Sequence, residues 1–156
     1  MMSKRYKKVA VGGTFDKLHK GHEKLLKTAF EIGERVEIGV TSNAFGGLKG
    51  DIDSCEVRMA NLKAFFSDKN NFTVSILDDP FGTTIYDEEF DAIVVSEETE
   101  PNAIKINKIR HDKDMDLLDI VVVSFVLAYD GYPISSTRIR KGEINKEGKV
   151  ISKLII

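Results

Sequence analysis

Short β-branched apolar runs alternate along this chain with stretches whose apolar residues recur every three or four positions. The runs 7–13 (KKVAVGG), 35–42 (RVEIGVTS), 71–79 (NFTVSILDD) and 90–98 (FDAIVVSEE) predict four strands, and a fifth lies within 116–130 (DLLDIVVVSFVLAYD). Between them, 21–33 places Leu25, Leu26, Ala29, Phe30 and Ile32 mostly on one helical face, with Gly33 as its stop. Residues 53–68 predict a second helix, capped by Asp53 or Ser54 and carrying Val57, Met59, Ala60, Leu62, Phe65 and Phe66 as apolar surface. A third, 101–114, opens with Pro101, and a fourth, 135–144, opens on serine. Strands alternating with helices predict an α/β fold: a doubly wound parallel five-stranded sheet with helices on both faces. No repeat, low-complexity tract or linker divides the chain, so 1–156 reads as a single domain. Ligands of such sheets bind beyond the carboxyl ends of the strands, where the strand order reverses.

Composition changes this picture little. The chain has 156 residues, 42% hydrophobic and 31% charged, within the ordinary globular range. A net charge of −2 supplies no electrostatic drive toward nucleic acid or an anionic membrane. The lone Cys55 excludes an internal disulfide framework and fits a reducing cytoplasm. The basic start MMSKRYKK is followed by an apolar run too short for a signal peptide, and no segment reaches the roughly 20 apolar residues of a membrane span. These features predict a cytoplasmic location and leave the oligomeric state open.

The chemistry concentrates in VGGTFDKLHKGH, Val11 to His22, between the first strand and the first helix. Glycines there let the backbone turn tightly and approach a ligand closely. The helix opening at Gly21 and His22 offers N–H groups and a positive dipole end to a phosphate. Thr14 adds a hydroxyl, and His19 and His22 add imidazoles that can donate a hydrogen bond whether neutral or charged. The Gly-x-Gly-x-x-Gly dinucleotide fingerprint and the phosphate loop ending in Gly-Lys-Ser/Thr are both absent, and FGGLKGD resembles the latter only superficially. A zinc site is disfavoured because no further histidine or cysteine cluster stands near the pair.

Taken whole, GGTFDKLHKGH resembles the first signature of the nucleotidyltransferase superfamily, His-x-Gly-His after strand one. ISSTRIR, Ile134 to Arg140, resembles its second, Ser-Ser-Thr-x-x-Arg. The middle region, ILDDPFGTTIYDEEFDAIVVSEET followed by AIKINKIR, is similar to the archaeal type of phosphopantetheine adenylyltransferase and to the matching domain of eukaryotic coenzyme A synthase. That likeness runs from about Lys7 to about Lys141 and implies a Rossmann-like sheet. It also implies AMP transfer from ATP to 4′-phosphopantetheine, giving dephospho-coenzyme A and pyrophosphate, with Mg2+ accompanying ATP and without a covalent intermediate. Bacterial enzymes of this name carry arginines after strand four, where this chain reads SEET, Ser96 to Thr99.

The resemblance also implies roles. His19 and His22 would hold ATP phosphates and absorb charge at the α-phosphate, and Lys49 would bridge that phosphate to the acceptor. Thr14 would orient the attacking acceptor phosphate, with Leu77 and Asp78 along the acceptor arm. Gly13, Phe15, Ile134, Ser135, Ser136, Thr137 and Arg138 would contact ATP, and Glu97, Thr99, Asn107 and Arg110 would line its pocket. The direct chemistry agrees: phosphate is already an ionised nucleophile, so positioning two polyanions and stabilising charge is what remains to be done.

Plainer readings stand beside these. A lysine in a glycine-rich loop is usually solvated, serines before a helix usually cap it, and His111 in IRHDKDMD reads as surface. Cys55 near a helix start could have a lowered pKa, though the implied reaction needs no thiol. Asp78 and Asp79 read as a polar strand end before proline, and Asp16 as a turn residue bonding backbone N–H groups. FMN, nicotinamide mononucleotide or glycerol 3-phosphate are alternative acceptors for the same signatures. A non-catalytic nucleotide sensor is the reading of a different class. An RNA-binding role lacks a basic face or an anticodon-binding extension.

Overall fold

The computed structural model describes residues 5–46 and 52–150. Five parallel strands form one sheet: β1 (Tyr6–Gly13), β2 (Gly33–Thr41), β3 (Phe72–Leu77), β4 (Ala92–Ser96) and β5 (Asp119–Val123). Their order is β3-β2-β1-β4-β5, so the chain winds outward from β1 and then reverses across it to β4. The reversal lies between β1 and β4, paired at Val9–Ala92, Ala10–Ile93 and Val11–Val94. A crevice opens at the carboxyl ends of these two strands, the predicted place for a ligand.

Helix α1 (Lys20–Ile32) follows β1, a single turn α2 (Asn43–Gly46) follows β2, and α3 (Cys55–Phe65) leads to β3. Helices α1 and α3 share one face of the sheet. Leu26, Ala29 and Phe30 of α1, and Leu62 of α3 with Phe66 after it, pack there against Val9, Val11, Val36, Ile38, Val40 and Val94. These apolar side chains are almost completely buried, and each one larger than alanine is worth ~1.5–3 kcal/mol relative to exposure. Gly33 ends α1 and opens β2 with no loop between. A Cβ at that position would lie 2.7 Å from Val9 Cγ2.

The opposite face is covered only in part. Helix α4 (Glu100–Asp112) lays Ala103 and Ile106 over Ala10, Ile93 and Val95, joined by Phe90, Leu118 and Ile85 from the 3₁₀ turn Gly82–Ile85. Among the described residues no helix covers the β1–β3 side of this face, and it becomes the floor of a cleft. Helix α5 (Ser136–Arg140) closes the far side, its region stabilised by a small cluster of Ala128, Ile134 and Ile144. The predicted order of five strands and four main helices is the observed one, with boundaries moved by a few residues. The long fifth run is strand only over Asp119–Val123; its remainder forms an isolated antiparallel bridge at Leu127–Pro133.

Candidate active site

A cleft of about 800 Å³ runs along the carboxyl ends of the strands and down the uncovered sheet face. Its walls include Gly13, Thr14, Phe15, His19 and His22 from the first signature, and Ile134, Ser135, Ser136, Thr137 and Arg140 from the second. Thus residues some 120 positions apart in the chain meet in one space.

The histidines are held by an unusual cap. His19 is the N-cap of α1, and its Nδ1 accepts the N–H groups of Gly21 at 3.0 Å and His22 at 3.4 Å. His22 Nδ1 reciprocally accepts the His19 N–H at 3.3 Å, and the rings stack with centroids 3.7 Å apart. A neutral imidazole accepting at Nδ1 carries its proton on Nε2, so each ring keeps Nε2–H as a donor. Burial lowers His19 from 6.5 to about 4. Burial, reinforced by repulsion from His19, lowers His22 to about 3. Both are therefore neutral donors at pH 7. Gly21 is required between them, because a Cβ there would lie 2.8 Å from His19 Cε1.

This arrangement corrects one expectation. The first N–H groups of α1 are not free for an anion. Lys20 N–H donates to Lys146 O, Gly21 and His22 donate to His19 Nδ1, and Glu23 donates to His19 O. What the helix offers is its dipole and two imidazole N–H groups.

Thr14 stands at the end of a hydrogen-bond chain. The Arg58 side chain, 1% exposed, donates through Nη1 to the carbonyls of Thr14 at 2.9 Å and Thr41 at 2.8 Å, and to Thr41 Oγ1 at 3.2 Å. Its Nε donates to Asp53 O at 2.8 Å. Thr41 Oγ1, receiving from a group that can only donate, passes its own proton to Thr14 Oγ1 at 3.2 Å. The Thr14 hydroxyl proton is left to face the cleft. Phe15 follows with φ +53°, a conformation costly for a bulky residue, and its buried ring packs edge-on to His22 at 5.3 Å.

In the second signature the serines divide their work. Ser135 caps α5, its Oγ accepting the Arg138 N–H at 3.2 Å, and retains a proton to donate. Ser136 Oγ donates to the Asp16 carbonyl at 2.5 Å and so ties the two signatures together. Thr137 Oγ1 accepts from Arg140 at 3.2 Å.

Several predicted site residues lie elsewhere. Arg110 is completely buried, and its guanidinium is consumed by the carbonyls of Thr84, Asp87, Phe90 and Asp116. It braces the 3₁₀ turn and the loops flanking β4, and cannot reach a nucleotide. Asn107 is likewise spent, exchanging both amide groups with the Leu118 backbone at 3.0 and 2.8 Å. Glu97 is exposed and outside the cleft wall, to which its neighbours Ser96, Glu98 and Thr99 belong. Arg138 turns away to Asp130 and Glu143, and Arg140, the final arginine of the signature, takes the cleft position. Asp78 is exposed beyond the end of β3, while Leu77 lines the cleft. Asp79 accepts the N–H groups of Phe81 and Gly82, forming the turn. Lys49 lies outside the described residues. Burial raises the Cys55 thiol rather than lowering it, so the alternative of an activated cysteine is not realised. Glu37, Asn102, Phe81 and Thr83 line the cleft without having been anticipated; only Arg140 stood inside a quoted signature.

The sequence profile described as cytidylyltransferase-like matches residues 10–142. A phosphopantetheine adenylyltransferase of Methanothermobacter thermautotrophicus is 54% identical over 155 residues, covering 98% of this chain and 94% of the relative. One from Methanopyrus kandleri is 47% identical, covering 91% and 93%. Among solved structures, a protein of unknown function from Archaeoglobus fulgidus superimposes with a TM-score of 0.69 at 35% identity, over 74% of this chain and 88% of its own. With the two signatures brought to one cleft at the switch point of a parallel sheet, these likenesses decide the matter: the chain belongs to the phosphopantetheine adenylyltransferase family of cytidylyltransferase-like proteins.

Proposed function

We propose that this chain transfers AMP from ATP to 4′-phosphopantetheine by direct in-line attack, giving dephospho-coenzyme A and pyrophosphate. An acceptor phosphate oxygen forms the new bond to the α-phosphorus of ATP as the bond to the β-phosphate oxygen breaks, and pyrophosphate leaves with those electrons. No proton needs to be removed from the nucleophile, so the protein's task is alignment and charge stabilisation.

The observation that carries this reading is the stacked His19–His22 pair, both rings neutral and both tautomers fixed by backbone N–H groups. Two preorganised Nε2–H donors strengthen their bonds as charge grows on the transferring group, without reorganising. The hydroxyls of Ser135 and Thr137 are donors for the leaving phosphates, and the outward-facing Thr14 hydroxyl is a donor for the acceptor phosphate. Lys49 would add a cation between the two. Ser96, Glu98, Thr99 and Asn102, at the start of α4, offer the polar edge against which a base would be read.

Mg2+ enters as the MgATP substrate. Such an ion keeps several waters and is held chiefly by phosphates, so it asks little of the protein. No group of three or more His, Cys, Asp or Glu suited to a metal occurs among the described residues. No helix among them is long and apolar enough to cross a membrane. A cytoplasmic location and small-molecule substrates without nucleic acid are part of the same proposal, resting on the near-neutral net charge of −2.

The test is pyrophosphate release from MgATP with 4′-phosphopantetheine, FMN, nicotinamide mononucleotide and glycerol 3-phosphate offered separately, with His22→Ala as control. Release with 4′-phosphopantetheine alone, lost in the variant, supports the proposal. Release only with another acceptor would replace it by a sister reaction, and ATP binding without any turnover would favour a nucleotide sensor.

A further inference from the structure

Halfway down the uncovered sheet face stands a carboxylate that the transfer reaction does not use. Glu37 occupies the middle of β2, paired across the sheet with Ala10 and Thr73, and its side chain lines the cleft. It is partly buried, yet no lysine or arginine among the described residues forms an ion pair with it. Its Oε2 accepts the Thr83 hydroxyl at 3.1 Å, which leaves Oε1 to the cleft. Glu37 thus presents a carboxylate without a cationic partner among those residues to whatever lies along this wall of the cleft. We infer that Glu37 selects the acceptor at the far end of its arm. On this inference it accepts a hydrogen bond from a neutral acceptor's distal amide N–H and repels acceptors that carry a carboxylate there.

The lengths agree. Glu37 is four residues before Thr41 on the same extended strand, about 13 Å at the usual rise. Thr41 in turn touches Thr14, the acceptor-phosphate position of the proposed reaction. In phosphopantetheine the second amide nitrogen is nine bonds beyond the phosphate ester oxygen. Nine bonds equal three residues of extended main chain, about 10 Å, to which the phosphate itself adds its own length. An arm laid along β2 from Thr14 thus brings this N–H to Glu37.

The floor between the two points is the Leu77 side chain, which fills the space above two glycines. Gly12 and Gly39 are neighbours on β1 and β2, and Leu77 lies over both, with Gly82 on its other side. That apolar middle suits the methylene segment of such an arm, and the polar Glu37–Thr83 pair suits its amide end. Ser75, opposite Gly39 on β3, gives the same wall a second hydroxyl. A carboxylate on the carbon bonded to the distal amide nitrogen would meet Glu37 as a like charge in a partly desolvated cleft, where like-charge contact is strongly disfavoured.

This inference rests on the proposed reaction, and one experiment separates the two. Pyrophosphate release is measured with 4′-phosphopantetheine and with 4′-phosphopantothenoylcysteine, the same arm bearing that carboxylate, for the unaltered protein, Glu37→Gln, Glu37→Lys and Glu34→Gln. Glu34 is exposed at the start of β2 and controls for the loss of one negative charge. The unaltered protein should favour the neutral acceptor. Glu37→Gln should narrow the ratio of kcat/KM between the two acceptors by about tenfold or more, chiefly through KM of the carboxylated one. Glu37→Lys should narrow it further or invert it, and Glu34→Gln should leave it unchanged. Normal turnover of 4′-phosphopantetheine with the same ratio in all four proteins would overturn the role of Glu37 alone. No turnover of 4′-phosphopantetheine by the unaltered protein would overturn the proposed reaction and this inference with it. Thermal melting of each variant checks that Glu37→Lys is folded, and Glu37→Gln carries the test if it is not.

Discussion

Asp16 and Arg140 join the two signatures across 124 positions of chain: Nη1 of the arginine donates to Oδ2 of the carboxylate at 2.8 Å. Asp16 is 1% exposed, and its other oxygen accepts the Asp53 N–H at 2.9 Å, so three segments distant in the chain meet at one side chain. A partner removed from a nearly buried, hydrogen-bonded pair leaves the remaining charge uncompensated, which is why such losses exceed those of surface bridges. Asp16→Asn, Arg140→Ala and the double variant should therefore be non-additive. A coupling energy of about 1–3 kcal/mol in melting or denaturant titration is expected. Strict additivity would mean that the pair does not hold the signatures together.

The two histidines should separate by substitution type. His19→Ala removes both a cap and a donor, so it should lose about 1 kcal/mol of stability and about 10²–10³ in kcat. Asn is among the best N-caps, so His19→Asn should recover the stability and leave turnover low. His22→Ala should lose comparable turnover. Melting curves beside steady-state kinetics would show the split, and recovery of turnover in His19→Asn would argue that capping is the whole role of His19.

The pH dependence follows from the lowered values of about 4 and about 3. The unfolded chain takes up protons near 6.5, whereas the folded histidines resist protonation until well below it. Between these limits the unfolded state binds more protons, so stability falls as pH falls. For His19 alone the full loss, complete near pH 4, is on the order of 3 kcal/mol. Denaturant titrations from pH 7.5 to 4 should show the decline beginning near 6.5, while kcat/KM should show no histidine ionisation near that value. A stability that stays flat from pH 6.5 to 4 would mean that the folded histidines titrate normally, whereas a step in activity at about pH 6 belongs to the acceptor phosphate, whose second ionisation lies there.

Thr41→Val removes one oxygen from the relay that orients the Thr14 hydroxyl and keeps nearly the same volume. It should raise KM for the acceptor several-fold with little effect on KM for ATP, since the relay ends at Thr14. Stability should fall by about 1–3 kcal/mol, because the buried Arg58 loses an acceptor. Equal changes in both KM values would point instead to a general loosening of the site.

Gly21→Ala tests the spacing of the histidine motif. The added Cβ would sit 2.8 Å from His19 Cε1 and 3.0 Å from Nδ1, which forces the ring off the N–H groups it caps. Turnover should drop by about tenfold or more, with KM for ATP changed less. Retention of full activity would show that the stacked geometry can tolerate a displaced ring.

What could be read from the chain alone had local causes. Valine-rich runs specify buried parallel strands, and the apolar spacing of Leu25, Leu26, Ala29 and Phe30 specifies the packed face of α1. Ser54 and Ser135 both cap helices by ordinary short-range hydrogen bonds. The histidine, threonine and serine positions in the cleft were legible because the signatures are contiguous and their geometry is set within a few residues. Direction and partnership were not legible, because they depend on what lies across the fold. Arg110 and Arg138 have the same chemistry as Arg140, yet one is folded onto four carbonyls, one onto Asp130 and Glu143, and the third onto Asp16 and Thr137 at the cleft wall. Glu37 looks like any polar residue in an alternating strand until α4 covers one half of its sheet face and leaves the other open. Local sequence thus determined the elements and the chemistry each could bring. Tertiary packing decided which charges were spent on the scaffold and which were left for a ligand, because a buried polar group must be satisfied by whatever the folded chain places beside it.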